Sequence, residues 1–149
     1  MVVDPGELAY LDGHWDLLAG LTGAFRTEPN VSLAVLYGSA ARGDDRASSD
    51  IDLLVSFRDD VDASSSSLAR RLERRLRRPV DVARYSRVRR EAPFLLLQAV
   101  DEGRVLVDRD DTWASLRAAR ETIARASRRR QASSRAQARA ALDLLGGEE

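Results

Sequence analysis

The sequence predicts a small α/β domain that continues into a C-terminal helical extension. Three observations carry this reading. Apolar residues recur at helical spacing before residue 25 and again after residue 67. Short apolar runs rich in valine, leucine and isoleucine lie between and beyond those stretches, with glycine or proline at their ends. The last third of the chain is dominated by alanine and arginine, which favour helix. At 149 residues, with 44% apolar and 32% charged residues, the chain has the size and composition of one soluble folded domain.

A first helix is predicted over about 5–25, with Leu8, Leu11, Trp15, Leu18 and Leu21 forming its apolar face. Val31–Tyr37 reads as a buried strand stopped by Gly38, and Ile51–Phe57 as a second strand. Leu68, Leu72 and Leu76, four apart with arginines between them, form one stripe of the next helix. Ser67 is its expected N-cap, and Pro79 its stop. Pro79–Tyr85 is a third strand, Pro93–Glu102 a helix, and Arg104–Val107 a short fourth strand. From about Asp111 to Leu145 the chain is expected to be helical until Gly146-Gly147, with Ser133-Ser134 the place where it could break. The expected division is residues 1–110 as the main domain and 111–149 as an extension packed on or flanking it.

Composition excludes several chemistries. The chain has no cysteine, which removes disulfides, thiolate nucleophiles and cysteine-bound zinc. His14 is the single histidine, so no two-histidine metal site exists, and it reads as a surface or helix-packing residue. All 24 basic residues are arginine, which rules out the Gly-Lys-Ser/Thr element of a P-loop. No apolar run approaches the roughly 20 residues of a membrane span. The first residues, with Asp4 and Glu7 and no basic flank, do not resemble a secretory signal. Cytoplasmic location is the expectation.

The net charge of zero conceals segregation. Residues 1–65 hold 12 acids and 4 arginines, whereas residues 66–90 hold 10 arginines and 2 acids. The arginine run from Arg70 to Arg90 is read as a solvated helix face ahead of a partner contact or a nucleic-acid site. No aromatic residues interleave it, as stacking on single strands requires. Arg128-Arg129-Arg130 is read the same way, and Trp113 as a packing anchor.

The chemistry is concentrated in Gly38-Ser39, ten further residues, and Asp50-Ile51-Asp52. Alternation along a strand puts Asp50 and Asp52 on one face, about 7 Å apart, with Ile51 and Leu53 toward the core. Asp81 follows the same logic on the third strand, between inward-facing Val80 and Val82. Three such carboxylates on adjacent strands suit two Mg²⁺ ions and a triphosphate. Gly38 permits close approach of main chain to a phosphate, the amides after it point at the anion, and the Ser39 hydroxyl adds a donor. Arg42 or Arg46 supplies a charged contact.

Set in Leu-Tyr-Gly-Ser-Ala-Ala-Arg-Gly and Ser-Asp-Ile-Asp-Leu-Leu-Val, this pattern resembles the minimal nucleotidyltransferases of the DNA polymerase beta superfamily. The resemblance runs through Val80-Asp81-Val82 and through Ala99–Val107, with its Glu102-Gly103 pair, and covers about residues 31–110. It is strongest to the MNT antitoxins that pair with HEPN toxins. It implies a polymerase-beta-like core, a mixed sheet with helices packed on it. It also implies transfer of AMP from ATP to a tyrosine hydroxyl of a HEPN partner, with Mg²⁺. Asp50 and Asp52 would be metal ligands, and Asp81 a third carboxylate that assists deprotonation of the acceptor. Gly38 and Ser39 would form the triphosphate cradle. HEPN ribonucleases carry an Arg-x4–6-His motif; no histidine follows His14, so this chain is not the toxin half. Two other readings compete: an antitoxin that neutralises by binding alone, and a nucleotidyltransferase acting on a small molecule or RNA.

Overall fold

A computed structural model describes residues 5–44 and 49–146. In chain order the elements are α1 (Pro5–Phe25), β1 (Val31–Tyr37), α2 (Ser39–Arg42), β2 (Ile51–Phe57), α3 (Ser64–Leu76) and β3 (Val80–Arg84). They continue with α4 (Tyr85–Glu91), α5 (Pro93–Glu102), β4 (Arg104–Asp108), α6 (Thr112–Ala118) and α7 (Arg120–Gly146). The strands form one mixed sheet in the order β3-β2-β1-β4. β1 is antiparallel to both β2 and β4, and β2 is parallel to β3.

Strand β1 is buried at every position because helices cover both faces of the sheet. On one face, Ala34, Leu36, Ile51, Leu53 and Val55 pack with Leu21 and Phe25 of α1 and Leu68 and Leu72 of α3. On the other, Leu33, Val35, Tyr37 and Leu54 pack with Val88, Leu96, Ala99, Leu116 and Ile123 from α4 to α7. Each face is thus an independent apolar layer, and burying a side chain such as Leu53 or Leu68 contributes about 1.5–3 kcal/mol.

Four expectations need correction. Helix α1 spans the expected residues, but Leu8 and Trp15 are 54% and 65% exposed. The helix is rotated because Tyr10 faces inward: its hydroxyl donates to the Ala40 carbonyl at 2.8 Å, and the Arg104 guanidinium lies 3.4 Å over its ring. The inward stripe is therefore Tyr10, Leu17, Leu18, Leu21, Ala24 and Phe25. Helix α3 begins at Ser64 with Ala63 as N-cap, so Ser67 is inside the first turn; the Ala63 carbonyl accepts the Ser67 amide. The extension breaks at Ala119, not at Ser133-Ser134. That break turns α7 so that Ile123, Ala124 and Ser127 are buried, and Arg120 pairs with Asp101 of α5 at 2.6 Å. Finally, α4 follows β3 directly, an element the sequence reading lacks; Val88 is its one buried residue, too few for a periodic signal.

Trp113 is half-buried against the second apolar layer, as an anchor of α6. The arginine run is partly consumed within the protein. Arg71 chelates Glu28 at 2.7 and 2.9 Å, Arg78 donates to the Ser49 carbonyl, and Arg84 holds Asp60 and Asp62. No helix is long and apolar enough to cross a membrane among the described residues.

Helix α3 stops at Arg77, which adopts the left-handed conformation at φ 55° and donates its amide to Glu73. A side chain there carries a steric penalty that glycine lacks, partly offset by the larger chain entropy glycine loses on folding. Arg77 is exposed, so its replacement removes no buried contact. Arg77→Gly is expected to stabilise the protein by about 0.5–1 kcal/mol in chemical denaturation. A variant less stable than wild type would show that Arg77 contributes through its side chain.

Candidate active site

The site forms where β1 and β2 meet α2 and the end of α5. β1 delivers the chain to Gly38, whose φ of 74° and ψ of −155° are open to glycine almost alone. Helix α2 follows at once, with the amides of Ala41 and Arg42 returning to the Gly38 carbonyl at 3.1 and 3.2 Å. Its outer carbonyls are pinned: Tyr10 binds Ala40, and Arg104 donates to Ala41 at 2.8 Å while pairing with Glu7 at 2.7 Å. Ala40 and Ala41 are buried and Ser39 is half-buried, so the serine turn is held against the body of the protein.

The pairing registers bring the acids together. Tyr37 lies opposite Asp52, and Asp52 opposite Asp81 on the parallel neighbour β3. Adjacent strands are about 4.8 Å apart, so the Asp52 and Asp81 backbones are direct neighbours. Asp50, exposed, precedes β2 by one residue. Burial, then the charges of Asp81, Asp50 and Glu102, pushes the Asp52 carboxyl above its ordinary value, against the opposing pull of Arg42. Tyr37 is pushed up to about 12 by burial and by the charges of Asp52 and Asp81, so its phenol stays protonated at neutral pH. Among the described residues, no three Asp, Glu, His or Cys side chains close on one point. Asp50, Asp52 and Asp81 are therefore coupled through space without forming a closed ligand cluster.

Gly38 touches this group directly. A Cβ built on it would lie 2.5 Å from Asp52 Oδ2, so only glycine leaves room for the carboxylate. On its other side, the Gly38 amide donates to Glu102 Oε1 at 2.9 Å. Glu102 also accepts from Gln98 at 2.8 Å and from Arg42 Nη1 at 3.0 and 3.1 Å. Burial works to raise the Glu102 carboxyl, but the hydrogen bonds from Gln98, Arg42 and Gly38 outweigh it and hold the group below its ordinary value.

Of the residues expected from sequence, Gly38, Asp52 and Asp81 are brought together, with Asp50 beside them. Ser39 opens α2. Arg42, expected on a phosphate, is paired with Glu102 and, at 3.2 Å, with Asp44. Arg46 lies outside the described residues. Glu102 and Gln98 were not foreseen as site residues. The available signal was Glu102-Gly103 at the end of an apolar helix. A Cβ on Gly103 would lie 2.1 Å from the Ala99 carbonyl oxygen and 2.5 Å from Val35, so glycine allows α5 to end close against β1, with Glu102 beside Gly38.

Strand, glycine–serine turn and the acid-bearing strands β2 and β3 make up the core of the site. The family model described as polymerase beta, nucleotidyltransferase, matches residues 20–112. The chain belongs to that family. No curated protein matches it in sequence. Solved structures match its fold. One, a toxin–antitoxin with AMP-PNP, is 22% identical over 84% of this chain and 98% of its own, with a TM-score of 0.64. The toxin–antitoxin MntA–HepT matches at 20% identity over 84% of this chain and 96% of its own, TM-score 0.58. A third contains a tri-AMPylated Shewanella oneidensis HEPN toxin in complex with MNT antitoxin, at 19% identity over 89% and 98% of the two chains, TM-score 0.56.

The two site carboxylates have opposite consequences for stability. Asp52→Asn is expected to raise the melting temperature at neutral pH, because ionised Asp52 is disfavoured in the folded state. That gain fades as pH falls through the raised Asp52 value, where the wild-type group is protonated. Glu102→Gln is expected to lower the melting temperature at neutral pH. Its loss shrinks as pH falls below the ordinary glutamate range through the lowered Glu102 value. Circular dichroism melts between about pH 2 and pH 8 check both signs. A stabilised Glu102→Gln would contradict its assignment as the anchor of Gly38 and Arg42.

Proposed function

We propose that the protein is an antitoxin that transfers AMP from ATP to a hydroxyl of a partner HEPN toxin, with a tyrosine as acceptor, in the cytoplasm. The observation that carries this reading is the juxtaposition of Gly38 with Asp52, and of Asp52 with Asp81, in a chain of the nucleotidyltransferase family. The fold likeness to MNT antitoxins in toxin–antitoxin complexes supports the choice of partner. The catalytic domain would be residues 1–110, and the extension residues 111–149.

The donor chemistry fits Mg²⁺. Burial first, and then the charges of Asp81, Asp50 and Glu102, oppose the ionisation of Asp52, and all of these carboxylates offer oxygen to a hard cation. Asp50, Asp52 and Asp81 would hold two ions, which when bound supply charge neutralisation for the triphosphate and lower the pKa of the acceptor hydroxyl. The chain's own groups do the rest. The Gly38-Ser39 turn orients the triphosphate through main-chain amides and the Ser39 hydroxyl. Arg42, on leaving Glu102, reaches a phosphate oxygen with its planar guanidinium. Asp81, exposed on the edge strand β3, would assist deprotonation of an incoming hydroxyl.

Two experiments test this. Co-expression with the HEPN partner, followed by mass spectrometry, is expected to show adducts of one AMP each on the toxin. The Asp50→Asn/Asp52→Asn variant should fold, bind the partner and leave it unmodified. Full modification by that variant would refute the site; neutralisation of an unmodified toxin by the wild type would favour action by binding alone. In calorimetry, ATP should bind the purified protein at least about tenfold more weakly in EDTA than in Mg²⁺, because clustered carboxylates repel a triphosphate. Equal affinities would remove the metal from the reading.

A further inference from the structure

Two helical faces of this chain lie uncovered, and they complement each other. The first is the outward face of α1. Leu8, Leu11, Asp12, Trp15 and Asp16 follow one another at intervals of three and four, so they form one continuous stripe lining an open groove. Its apolar residues are large and its charges are all negative.

The second is the far half of α7. Ser127 is the last buried residue of that helix, and every residue from 128 to 146 is exposed. This is roughly 28 Å of helix at 1.5 Å per residue, without tertiary cover. A helix of that length is marginal alone in water, so it gains stability from a surface to lie on. Ala132, Arg135, Ala136, Arg139 and Ala140 repeat the intervals of three and four along one groove. Its apolar residues are small, and its charges are two arginines and, at the end toward the C-terminus, one acid, Asp143.

The fit is specific in spacing. Asp12 and Asp16 are one turn apart on α1, as Arg135 and Arg139 are on α7, and none of the four has an ion pair among the described residues. Leu8, Leu11 and Trp15 offer bulk where Ala132, Ala136 and Ala140 leave depth, the condition for close helix packing. Between residues 5 and 25 there is no arginine, and between 128 and 146 five arginines face one acid, Asp143. A single chain does not join these faces. α1 packs with α3 on one side of the sheet, and α7 packs through α5 on the other.

We propose that α1 of one copy docks on the far half of α7 of a second copy, and that the reciprocal contact closes a two-fold dimer. Each contact seats Leu8, Leu11 and Trp15 on the alanine stripe and pairs Asp12 and Asp16 with Arg135 and Arg139. A contact made twice around a two-fold axis is closed and does not propagate into a filament. This inference is independent of the transfer reaction, since none of these residues belongs to the site.

Sedimentation of the purified full chain, without partner, tests it over a concentration series. The expected species has twice the 16.5 kDa chain mass and dissociates as salt rises. Asp12→Arg/Asp16→Arg and Arg135→Asp/Arg139→Asp should each weaken the dimer at least about tenfold, roughly 1.4 kcal/mol. All four changes in one chain should restore it, because the charges are then exchanged and not lost. Circular dichroism confirms that each variant is folded. Since the chain has no cysteine, Leu11→Cys with Ala136→Cys in one chain gives a second measurement, an oxidised dimer on a denaturing gel. A wild type that is monomeric at every concentration overturns the proposal, as does a dimer indifferent to the swaps. So does a folded quadruple variant that stays monomeric. A monomer whose binding to the HEPN protein is weakened by the same charge changes overturns it and assigns these faces to that partner instead.

Discussion

The backbone of Gly38 lies between two carboxylates, and the site's geometry depends on that placement. Asp52 Oδ2 occupies the space a Cβ would need, and Glu102 accepts the amide hydrogen. Both contacts require the neighbouring elements to be where they are. Asp52 reaches Gly38 because β2 runs antiparallel to β1 with Asp52 opposite Tyr37, one residue before the turn. Glu102 reaches it because Gly103 allows α5 to end against Val35 of the same strand. The central strand therefore carries the turn, receives the acidic strand on one edge, and seats the helix that anchors the turn from behind.

The electrostatic consequence is an imbalance that folding tolerates. Asp50, Asp52, Asp81 and Glu102 act on one small region, with Arg42 as the cation identified among them. Arg42 is bound to Glu102 and Asp44, so its charge is already partly spoken for. A region of this kind is stabilised by binding cations and destabilised by any further anion. The anchored α2 matters here, because Tyr10 and Arg104 hold the Ala40 and Ala41 carbonyls and so fix the orientation of the turn.

How much of this was legible in the sequence depends on the range of the interaction concerned. Val31–Tyr37, Ile51–Phe57 and the Leu68, Leu72, Leu76 stripe are local patterns, and the elements they imply are present. The glycine–serine turn is also where the sequence puts it, whereas Asp52 and Asp81 come side by side through the register of β2 with β3. What was hidden is set by distant partners. Tyr10 rotates α1 by bonding to Ala40, thirty positions away, and so leaves Leu8 and Trp15 in solvent despite their periodicity. Glu102 joins the site across 64 positions, through a glycine whose φ is ordinary and whose necessity lies in close packing alone. The break at Ala119 has no glycine or proline to announce it, whereas Ser133-Ser134, weak in helix propensity, stays helical.

The two faces of the sheet divide the structural tasks. The face covered by α1 and α3 is a closed apolar layer from Val31 to Val80. The face covered by α4 to α7 is apolar toward its middle, and Tyr37, beside Asp52 and Asp81, brings it to the edge of the acidic cluster. Burial raises both Tyr37, a member of this second layer, and Asp52, so packing contributes to the electrostatic character of the site. A substitution in α5 that loosens the layer, such as one at Leu96 or Ala99, would therefore act twice. It would remove apolar burial, and it would admit water that screens the repulsion among the carboxylates. Stability and the electrostatics of the site are coupled through the same helix, and α5 links them because its last residue, Glu102, is also the anchor of the turn.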